Sequence, residues 1–178
     1  LWPTVVTDER GVALGLAWSD AESVREAVRT QRGVYHSRRR GLWRKGESSG
    51  DHQDLLGVAL DCDRDALRFR VRQHGAGFCH LGTRSCWGED EGLGRLLRRL
   101  DARRAEAPAG SYTRRLYDEP GLLGAKLVEE ASELAAATTH DEVVWEAADV
   151  LYFTLATLAK AGIRWPRSRP TWTCARGS

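Results

Sequence analysis

Short alternating runs of apolar and polar residues fill the first half of the chain. The run Thr4–Trp18 (TVVTDERGVALGLAW) holds two apolar segments around an acidic, glycine-containing turn, which predicts a β-hairpin. Residues 66–73 (ALRFRVRQ) alternate apolar side chains with arginines, the period of a half-buried strand. Residues 33–37 and 55–60 predict two further strands, so this half is expected to be rich in β-structure.

One helix lies among the predicted strands, and three helical patterns follow them. Ser19 is a candidate N-cap residue for a helix over residues 20–30. Leucines at helical spacing predict a helix over residues 92–108 that ends at a proline. Two further apolar patterns predict helices over residues 120–137 and 141–161.

The change of pattern predicts a domain boundary between Trp87 and Ser111. We expect a β-rich module over residues 1–90, a helix and linker over 91–110, an all-α helical bundle over 111–165 and an atypical tail over 166–178. The predicted fold class is therefore α+β.

Composition adds few constraints. The 178 residues are 42% hydrophobic and 29% charged, with a net charge of +2, which gives no general case for nucleic-acid or membrane binding. No apolar run is long enough to span a bilayer. The chain contains no Met, even at position 1, which predicts that it is a piece of a longer or processed protein.

Three aspartates follow one predicted strand in the string LDCDRDAL. In an extended segment, Asp61, Asp63 and Asp65 would point to one face and Cys62 to the other. Carboxylates suit Mg²⁺ and thiolates suit Zn²⁺, so the alternation predicts two metal sites on opposite faces. A solvated acidic loop without a metal is the alternative, as is a calcium loop of the EF-hand type, although the Gly and the distal Glu of that loop are missing.

Three of the four cysteines are candidate zinc ligands. Cys62, Cys79 and Cys86 could surround one Zn²⁺ and leave a fourth position for water, the pattern of a hydrolytic zinc site. His80 is the nearest candidate for proton transfer or for a fourth ligand. Disulfides, or buried thiols that act as small apolar groups, are the alternatives.

A basic stretch, YHSRRRGLWRKGESSGDHQ, is interpreted as a phosphate-binding loop, with a solvated turn as the alternative and a nucleic-acid patch as a weak one. Its candidate substrate-binding residues are Arg38, Trp43, Arg44, Lys45, Glu47, Ser48 and Ser49.

The last two predicted helices carry paired carboxylates. Glu130 projects onto the apolar stripe of the first helix, with Glu133 and Lys126 on its flank, and Glu146 and Asp149 are neighbours on the second. Two antiparallel helices could gather these four carboxylates around Mg²⁺, as cleavage of a polyphosphate requires. Surface pairing with basic residues is the alternative.

At these residues the chain resembles two enzyme families of histidine biosynthesis. Residues 2–87 resemble phosphoribosyl-AMP cyclohydrolase through SRRRGLWRKGESSG, LDCDRDAL and CHLGTRSCW. Residues 92–163 resemble phosphoribosyl-ATP pyrophosphatase, a MazG-like helical bundle, through GSYTRRLYDEPGLLGAKLVEEASEL and WEAADVLYFTLATLAKAGI. The order is that of the bifunctional enzyme and of the fungal protein that adds a histidinol dehydrogenase.

The resemblance implies a cytoplasmic hydrolase that binds Zn²⁺ and Mg²⁺ and performs two consecutive steps on small nucleotides, without nucleic acid or membrane. It also implies a homodimer in which the first cysteine completes the zinc site of the neighbouring subunit. The implied ligands are Cys62, Cys79 and Cys86 for zinc, Asp61, Asp63 and Asp65 for one magnesium, and Glu129, Glu130, Glu133, Glu146 and Asp149 for another. Candidate catalytic residues are His80, Glu130 and Glu133, and Lys126 is a candidate substrate-binding residue.

Two other functions stay open: a metal-binding scaffold without activity, and a general nucleoside-triphosphate pyrophosphatase. The family's helix normally continues beyond Gly162, whereas RWPRSRPTWTCARGS cannot extend it because of its prolines. We therefore expect the tail to be a tag, a misread frame or a truncation. A missing closing helix would leave the pyrophosphatase module unstable or inactive.

Overall fold

The computed structural model describes residues 1–88 and 90–163. They belong to two compact units, one over Leu1–Asp90 and one that begins at Glu91. The first is built mainly from strands and the second from helices, which confirms the α+β class. The predicted tail over residues 166–178 lies outside the described residues.

Four strands form the main sheet of the first unit, in the order β2-β1-β6-β5. Strands β1 (Trp2–Thr7) and β2 (Ala13–Ser19) pair antiparallel, which confirms the predicted hairpin. Strands β5 (Gln53–Leu60) and β6 (Leu67–Gln73) form a second antiparallel hairpin, and β6 runs parallel to β1. Alternation along β6 buries its apolar side chains, as the pattern predicted.

A small second sheet lies within the stretch interpreted as a basic loop. Its strands β3 (Val34–Ser37) and β4 (Gly41–Arg44) pair antiparallel, and β4 was not predicted. The arginines before Gly41 obscure the strand pattern in the sequence. They lie in the tight turn, where the Arg40 amide donates to the Ser37 carbonyl over 3.2 Å.

Helix α1 (Ala21–Thr30) begins after Asp20, so the prediction of Ser19 as its N-cap was wrong. Asp20 Oδ1 accepts from the Ser23 amide over 2.8 Å and Ser23 Oγ accepts from the Asp20 amide over 2.9 Å, which closes a capping box. Ser19 is instead buried at the end of β2, where its hydroxyl accepts from Thr4 over 2.8 Å.

Aromatic rings organise the core of the first unit. The Tyr35 ring lies 5.3 Å from Phe69 and 6.4 Å, edge-on, from Phe78. Its hydroxyl donates to Gln53 Oε1 over 2.6 Å, which satisfies both buried polar groups. Burial of each such ring contributes about 1.5–3 kcal/mol, so this cluster fixes the position of the loop that follows Phe78.

Among residues 91–163, the second unit contains four helices: α2 (Gly92–Glu106), α3 (Tyr112–Asp118), α4 (Leu122–Ala136) and α5 (His140–Lys160). Helices α2, α4 and α5 confirm the predicted patterns. Helix α3 was not predicted because its seven residues contribute a single buried side chain, Leu116, which is too little for a periodic signal.

The short connection after α4 makes α4 and α5 a helical hairpin. Thr139 caps α5: its hydroxyl accepts from the Glu142 amide over 3.3 Å, while the Glu142 carboxylate accepts from the Thr139 amide over 2.9 Å. Across the described parts of the chain, no helix has the length and apolar character needed to cross a membrane.

Candidate functional sites

The three aspartates lie in the turn between β5 and β6, defined here as the aspartate turn (residues 61–66). The expectation of an extended segment was wrong, because Leu60 and Leu67 are paired in register and the residues between them must reverse the chain. The Asp61 amide donates to the Ala66 carbonyl over 3.1 Å, and Arg64 adopts a left-handed φ of 68°. The turn therefore gathers the carboxylates instead of spreading them along one face.

One oxygen of each of Asp61, Asp63 and Asp65 lies within 4.8 Å of the others, and all three side chains are exposed. The amide of Ala66 lowers the pKa of Asp61, whereas the hydrogen bond to Asp61 and the charge of Asp63 raise that of Asp65. Three converging carboxylate oxygens are a donor set that fits Mg²⁺.

Cys79 and Cys86 form a thiol pair. A bond from the Cys79 amide to the Thr83 carbonyl over 3.2 Å folds the loop between them, and the Cys86 amide donates to the Leu14 carbonyl over 2.8 Å. Hydrogen bonds from the Leu81 amide and then the Thr83 hydroxyl lower the pKa of Cys79, while burial and the neighbouring Cys79 raise that of Cys86. Two adjacent thiols of this kind are suitable zinc ligands.

The third candidate zinc ligand lies elsewhere. Cys62 is exposed on the aspartate turn, whereas Cys79 is buried. Within residues 1–88 and 90–163, the three cysteines do not form one group of ligand atoms inside 4.8 Å. One protomer thus brings together two of the three predicted zinc ligands, and His80 is exposed next to that pair.

Lys45 is the residue of the basic stretch that approaches the thiol pair. Its side chain is almost fully buried, with Nζ 5.9 Å from the centre of the Phe78 ring. Burial lowers the pKa of Lys45, and the charges of Asp51 and the two cysteines oppose that shift. A cation held in this way beside the thiols is placed to meet an anionic group of a substrate.

A cavity of about 320 Å³ opens beside this lysine. Arg44, Lys45 and Glu47 line it, as do Arg32 and His52, which were not predicted from the sequence. Arg32 follows α1 and is brought to the cavity by its bridge to β5. Local sequence patterns do not reveal this contact, so Arg32 could not be predicted.

The other candidate substrate-binding residues of the basic stretch do not line this cavity. Arg38 lies over the Trp18 ring at 5.5 Å, and Trp43 packs half-buried against Tyr35 at 5.7 Å. Ser48 and Ser49 are exposed in the turn that follows β4. Only part of the stretch therefore faces one binding space.

Helices α4 and α5 gather carboxylates in the second unit. Glu130 is buried, and one ligand oxygen of each of Glu130, Glu146 and Asp149 lies within 4.8 Å of the others; these three residues are the acidic cluster. Burial and the charges of Glu133 and Glu130 raise the pKa of Glu146, and Glu133 also hydrogen-bonds to it. Concentrated, partly buried negative charge of this kind fits Mg²⁺.

Lys126 partly neutralises this charge. Its ammonium lies 2.9 Å from Glu129 and 2.9 Å from Glu130, and these two hydrogen bonds raise the pKa of Lys126. Glu129 itself is exposed and outside the acidic cluster. Ion pairing with Lys126 therefore coexists with the convergence of the carboxylates.

Comparison with known families gives each unit a counterpart. The family model for phosphoribosyl-AMP cyclohydrolase matches residues 15–88, and that for phosphoribosyl-ATP pyrophosphohydrolase matches residues 93–168. The chain is thus a fusion of two hydrolase domains, one in each structural unit. It belongs to the family of bifunctional histidine biosynthesis proteins.

Relatives with the same arrangement support this assignment. Over 96% of its length the chain is 39% identical to the histidine biosynthesis bifunctional protein HisIE of Thermus thermophilus, of which it covers 90%. Over 92% of its length it is 53% identical to the histidine biosynthesis trifunctional protein of Neurospora crassa and 51% identical to the bifunctional protein his7 of Schizosaccharomyces pombe. The chain spans 19% and 39% of these two fungal proteins.

Proposed function

We propose that the chain catalyses two consecutive hydrolyses in histidine biosynthesis. The helical unit would release pyrophosphate from phosphoribosyl-ATP, and the β-rich unit would open the adenine ring of the resulting phosphoribosyl-AMP. The observation that carries this proposal is the presence of a separate metal-type donor set in each unit, each within the residues that the corresponding family model matches.

In the helical unit, Glu130, Glu146 and Asp149 would hold Mg²⁺, with Glu133 and Glu129 beside them. When bound, Mg²⁺ would neutralise the charge of the triphosphate and orient it for cleavage. Glu133 would accept a proton from an attacking water. Lys126 holds Glu130 in position through its ion pair and can contact the phosphates. A MazG-like bundle is the proposed fold of this unit.

In the β-rich unit, the thiol pair would hold Zn²⁺ together with Cys62 of a second subunit. The aspartate turn would hold Mg²⁺. When bound, Zn²⁺ would lower the pKa of a water molecule and so activate it near neutral pH. His80, exposed beside Cys79, would transfer the proton to the ring nitrogen as the C–N bond breaks.

The cavity beside Lys45 would bind a phosphate group of the substrate. Its walls present the cationic side chains of Arg32, Arg44 and Lys45, and phosphate recognition uses this type of side chain. Arg44 is already hydrogen-bonded to Glu26 over 2.9 Å and Arg32 to Asp54, so Lys45 is the residue best placed to contribute binding energy.

We further propose a homodimer in which Cys62 of one subunit completes the zinc site formed by the thiol pair of the other. Large apolar side chains accompany the cysteines on both loops: Leu60 is 54% exposed, Leu81 76% and Trp87 67%. Burial of such side chains against a second copy would favour association. The reduced thiols that zinc requires also favour a cytoplasmic location.

Separate assays of the two half-reactions test the proposal. The purified chain should release pyrophosphate from phosphoribosyl-ATP and open the ring of phosphoribosyl-AMP, followed by absorbance. Glu130→Gln should lose only the first activity and Cys79→Ser only the second. The matched controls are Glu119→Gln, an exposed carboxylate paired with Arg115, and Cys174→Ser, and both should retain both activities.

Each alternative function gives a different result. Binding of both metals without turnover of either substrate would identify an inactive scaffold. Turnover of ordinary nucleoside triphosphates that is indifferent to Cys79→Ser would identify a general pyrophosphatase.

Complementation tests the shared zinc site. Cys62→Ser and Cys79→Ser should each abolish ring opening, but subunit exchange between them creates mixed dimers with one intact site. An equal mixture should therefore recover about a quarter of the wild-type activity, because half of the dimers are mixed and each contains one working site of two. No recovery after confirmed exchange would contradict the sharing of cysteines.

A further inference from the structure

A further group of possible metal ligands is separate from the aspartate turn, the thiol pair and the acidic cluster. His52, Asp54 and His74 each present one ligand atom, and these atoms lie within 4.8 Å of one another. The two imidazole rings stack with their centres 4.4 Å apart and an interplanar angle of 14°. His74 Nε2 and Asp54 Oδ2 are separated by 2.8 Å.

The pairing of β5 with β6 holds the three residues together. Gln53 is in register with Gln73, and the His74 amide donates to the His52 carbonyl over 3.0 Å, which extends the ladder by one pair. His52 and His74 are therefore cross-strand neighbours, and Asp54 lies two residues from His52 on the same face. Sheet geometry, rather than a mobile loop, positions the ligands.

Neighbouring groups leave the appropriate atoms available. His52 Nδ1 lies 3.0 Å from the Gly50 carbonyl, so Nδ1 carries the proton in that bond and the lone pair of Nε2 is left for a ligand. Arg32 binds Asp54 Oδ1, which leaves Oδ2 on the side of His74. Hydrogen bonds of this kind to the second atom of a ligand are typical of metal sites.

We propose that His52, Asp54 and His74 form a binding site for a divalent transition-metal ion of the zinc class. Two imidazoles with one carboxylate suit Zn²⁺, Co²⁺ or Ni²⁺, whereas Mg²⁺ prefers oxygen ligands alone. The ion would replace the proton between His74 and Asp54. Rotation of the two stacked rings about their side-chain bonds then directs one nitrogen of each toward it.

The charges around the site set its strength. Arg32 binds Asp54 directly and Arg72 lies opposite Asp54 in the register of the two strands, so two guanidinium groups face the single carboxylate. These two positive charges repel an incoming metal cation, so binding at this site must come mainly from the two imidazoles. The aspartate turn, by contrast, would bind its ion through carboxylates. Since Arg32 and His52 both line the cavity, a bound ion would tie its wall to the end of the sheet.

Cobalt titration distinguishes this site from the cysteine site. Co²⁺ bound to thiolates gives an intense near-ultraviolet charge-transfer band, and Co²⁺ bound to nitrogen and oxygen does not. The full-length chain is titrated in buffer with excess Mg²⁺, which occupies the carboxylate clusters. We expect one Co²⁺ ion per chain to bind with visible absorbance but without the thiolate band.

Single substitutions then assign the ligands. His52→Ala and His74→Ala should each lower the affinity of this site for Co²⁺ and leave the thiolate band unchanged. The loss should be at least roughly 10- to 100-fold, the effect of removing a residue that only supports a metal ligand. His140→Ala is the matched control, since His140 also lies beside an aspartate, at 3.1 Å, but on an exposed helix terminus. It should bind cobalt as the wild type does.

Two results would overturn the proposal. One is unchanged cobalt affinity in both His52→Ala and His74→Ala. The other is wild-type cobalt affinity at this site in His52→Gln, the variant that decides the test where an alanine substitution disturbs the whole unit and with it the thiolate band. His52→Gln, which keeps a polar side chain at the sheet end, repeats the test with less structural change and should also lose the equivalent.

Discussion

Asp8 Oδ2 accepts a hydrogen bond from Arg84 Nη2 over 3.2 Å, and the Asp8 side chain is completely buried. Its other oxygen accepts from the Arg10 and Val12 amides, each over 2.9 Å, which shapes the turn between β1 and β2. Arg84 belongs to the loop between the two cysteines of the thiol pair. A single carboxylate therefore anchors the proposed zinc loop to the first hairpin of the sheet.

Asp8→Asn should weaken both stability and zinc binding. The substitution removes the charge that faces Arg84 in a buried setting, and we expect a loss of about 3 kcal/mol in the free energy of unfolding. Zinc affinity should fall by roughly 10- to 100-fold, because the loop loses a supporting contact. Denaturant unfolding and competition with a zinc chelator measure the two effects. Glu22→Gln, an exposed carboxylate in the first turn of α1, should leave zinc affinity unchanged and lower the free energy of unfolding by at most about 1 kcal/mol.

Gly15 permits a close approach between β2 and the thiol pair. A Cβ atom at this position would collide with the Phe78 ring and lie 3.1 Å from Cys86 Sγ. Gly15→Ala should therefore lower the free energy of unfolding by about 1–3 kcal/mol through overpacking, and it should displace Cys86. The measurement is the amount of zinc bound per chain at a fixed chelator concentration, which should be lower for Gly15→Ala than for the wild type.

The matched control for that substitution lies in helix α4. Gly124→Ala places a Cβ where nothing lies within 4 Å, and the residue is helical. It should stabilise the protein by about 0.5–1 kcal/mol. A Gly15→Ala protein as stable as this control would show that Phe78 has room to move.

Strong periodicity was sufficient to predict the longer elements. Strand β6 buries its alternate apolar residues, and α4 and α5 carry apolar rows long enough to indicate a helix, although α4 fully buries only Leu123 among its apolar side chains. Strand β4 and helix α3 bury too few side chains to produce such a row. They depend on tertiary packing, which a local pattern does not contain.

The candidate sites show the same division. The spacing of Glu130, Glu146 and Asp149 on two adjacent helices was enough to expect them together, because helix geometry fixes which side chains share a face. The aspartate turn required knowledge that β5 and β6 pair at Leu60 and Leu67, since that pairing converts an extended segment into a reversal. The pairing also creates the cluster around Asp54, for which the sequence has no local signal.

Glu142 couples the stability of the helical unit to acid pH. Hydrogen bonds from the Thr138 and Thr139 amides lower its pKa from an ordinary value near 4.5 to about 2. Since the folded value is the lower one, the stabilisation is present above pH 4.5 and disappears as the pH falls toward 2. Glu142→Gln should therefore be less stable than the wild type at neutral pH and equally stable near the folded pKa. Thermal unfolding across this pH range measures the convergence.

Glu146 should have the opposite effect. Burial and the charges of Glu133, Glu130 and Asp149 raise its pKa, so the folded state holds its proton more tightly than the unfolded state. The stability of the folded helical unit is therefore highest below the unfolded pKa of Glu146 and falls as the pH rises through the folded pKa, above which the repulsion is fully developed. Glu146→Gln removes this repulsion, so above that folded pKa, in a metal-free chelating buffer, it should melt at a higher temperature than the wild type.

Addition of Mg²⁺ should reverse that order. The ion binds the folded acidic cluster and stabilises the wild type by mass action, whereas Glu146→Gln offers one ligand fewer and gains less. The melting temperature of the wild type should thus rise with Mg²⁺ more steeply than that of the variant. Asp141→Asn, which alters an exposed carboxylate at the start of the same helix, should follow the wild-type curve. Equal slopes for all three proteins would show that the stabilising ion binds elsewhere.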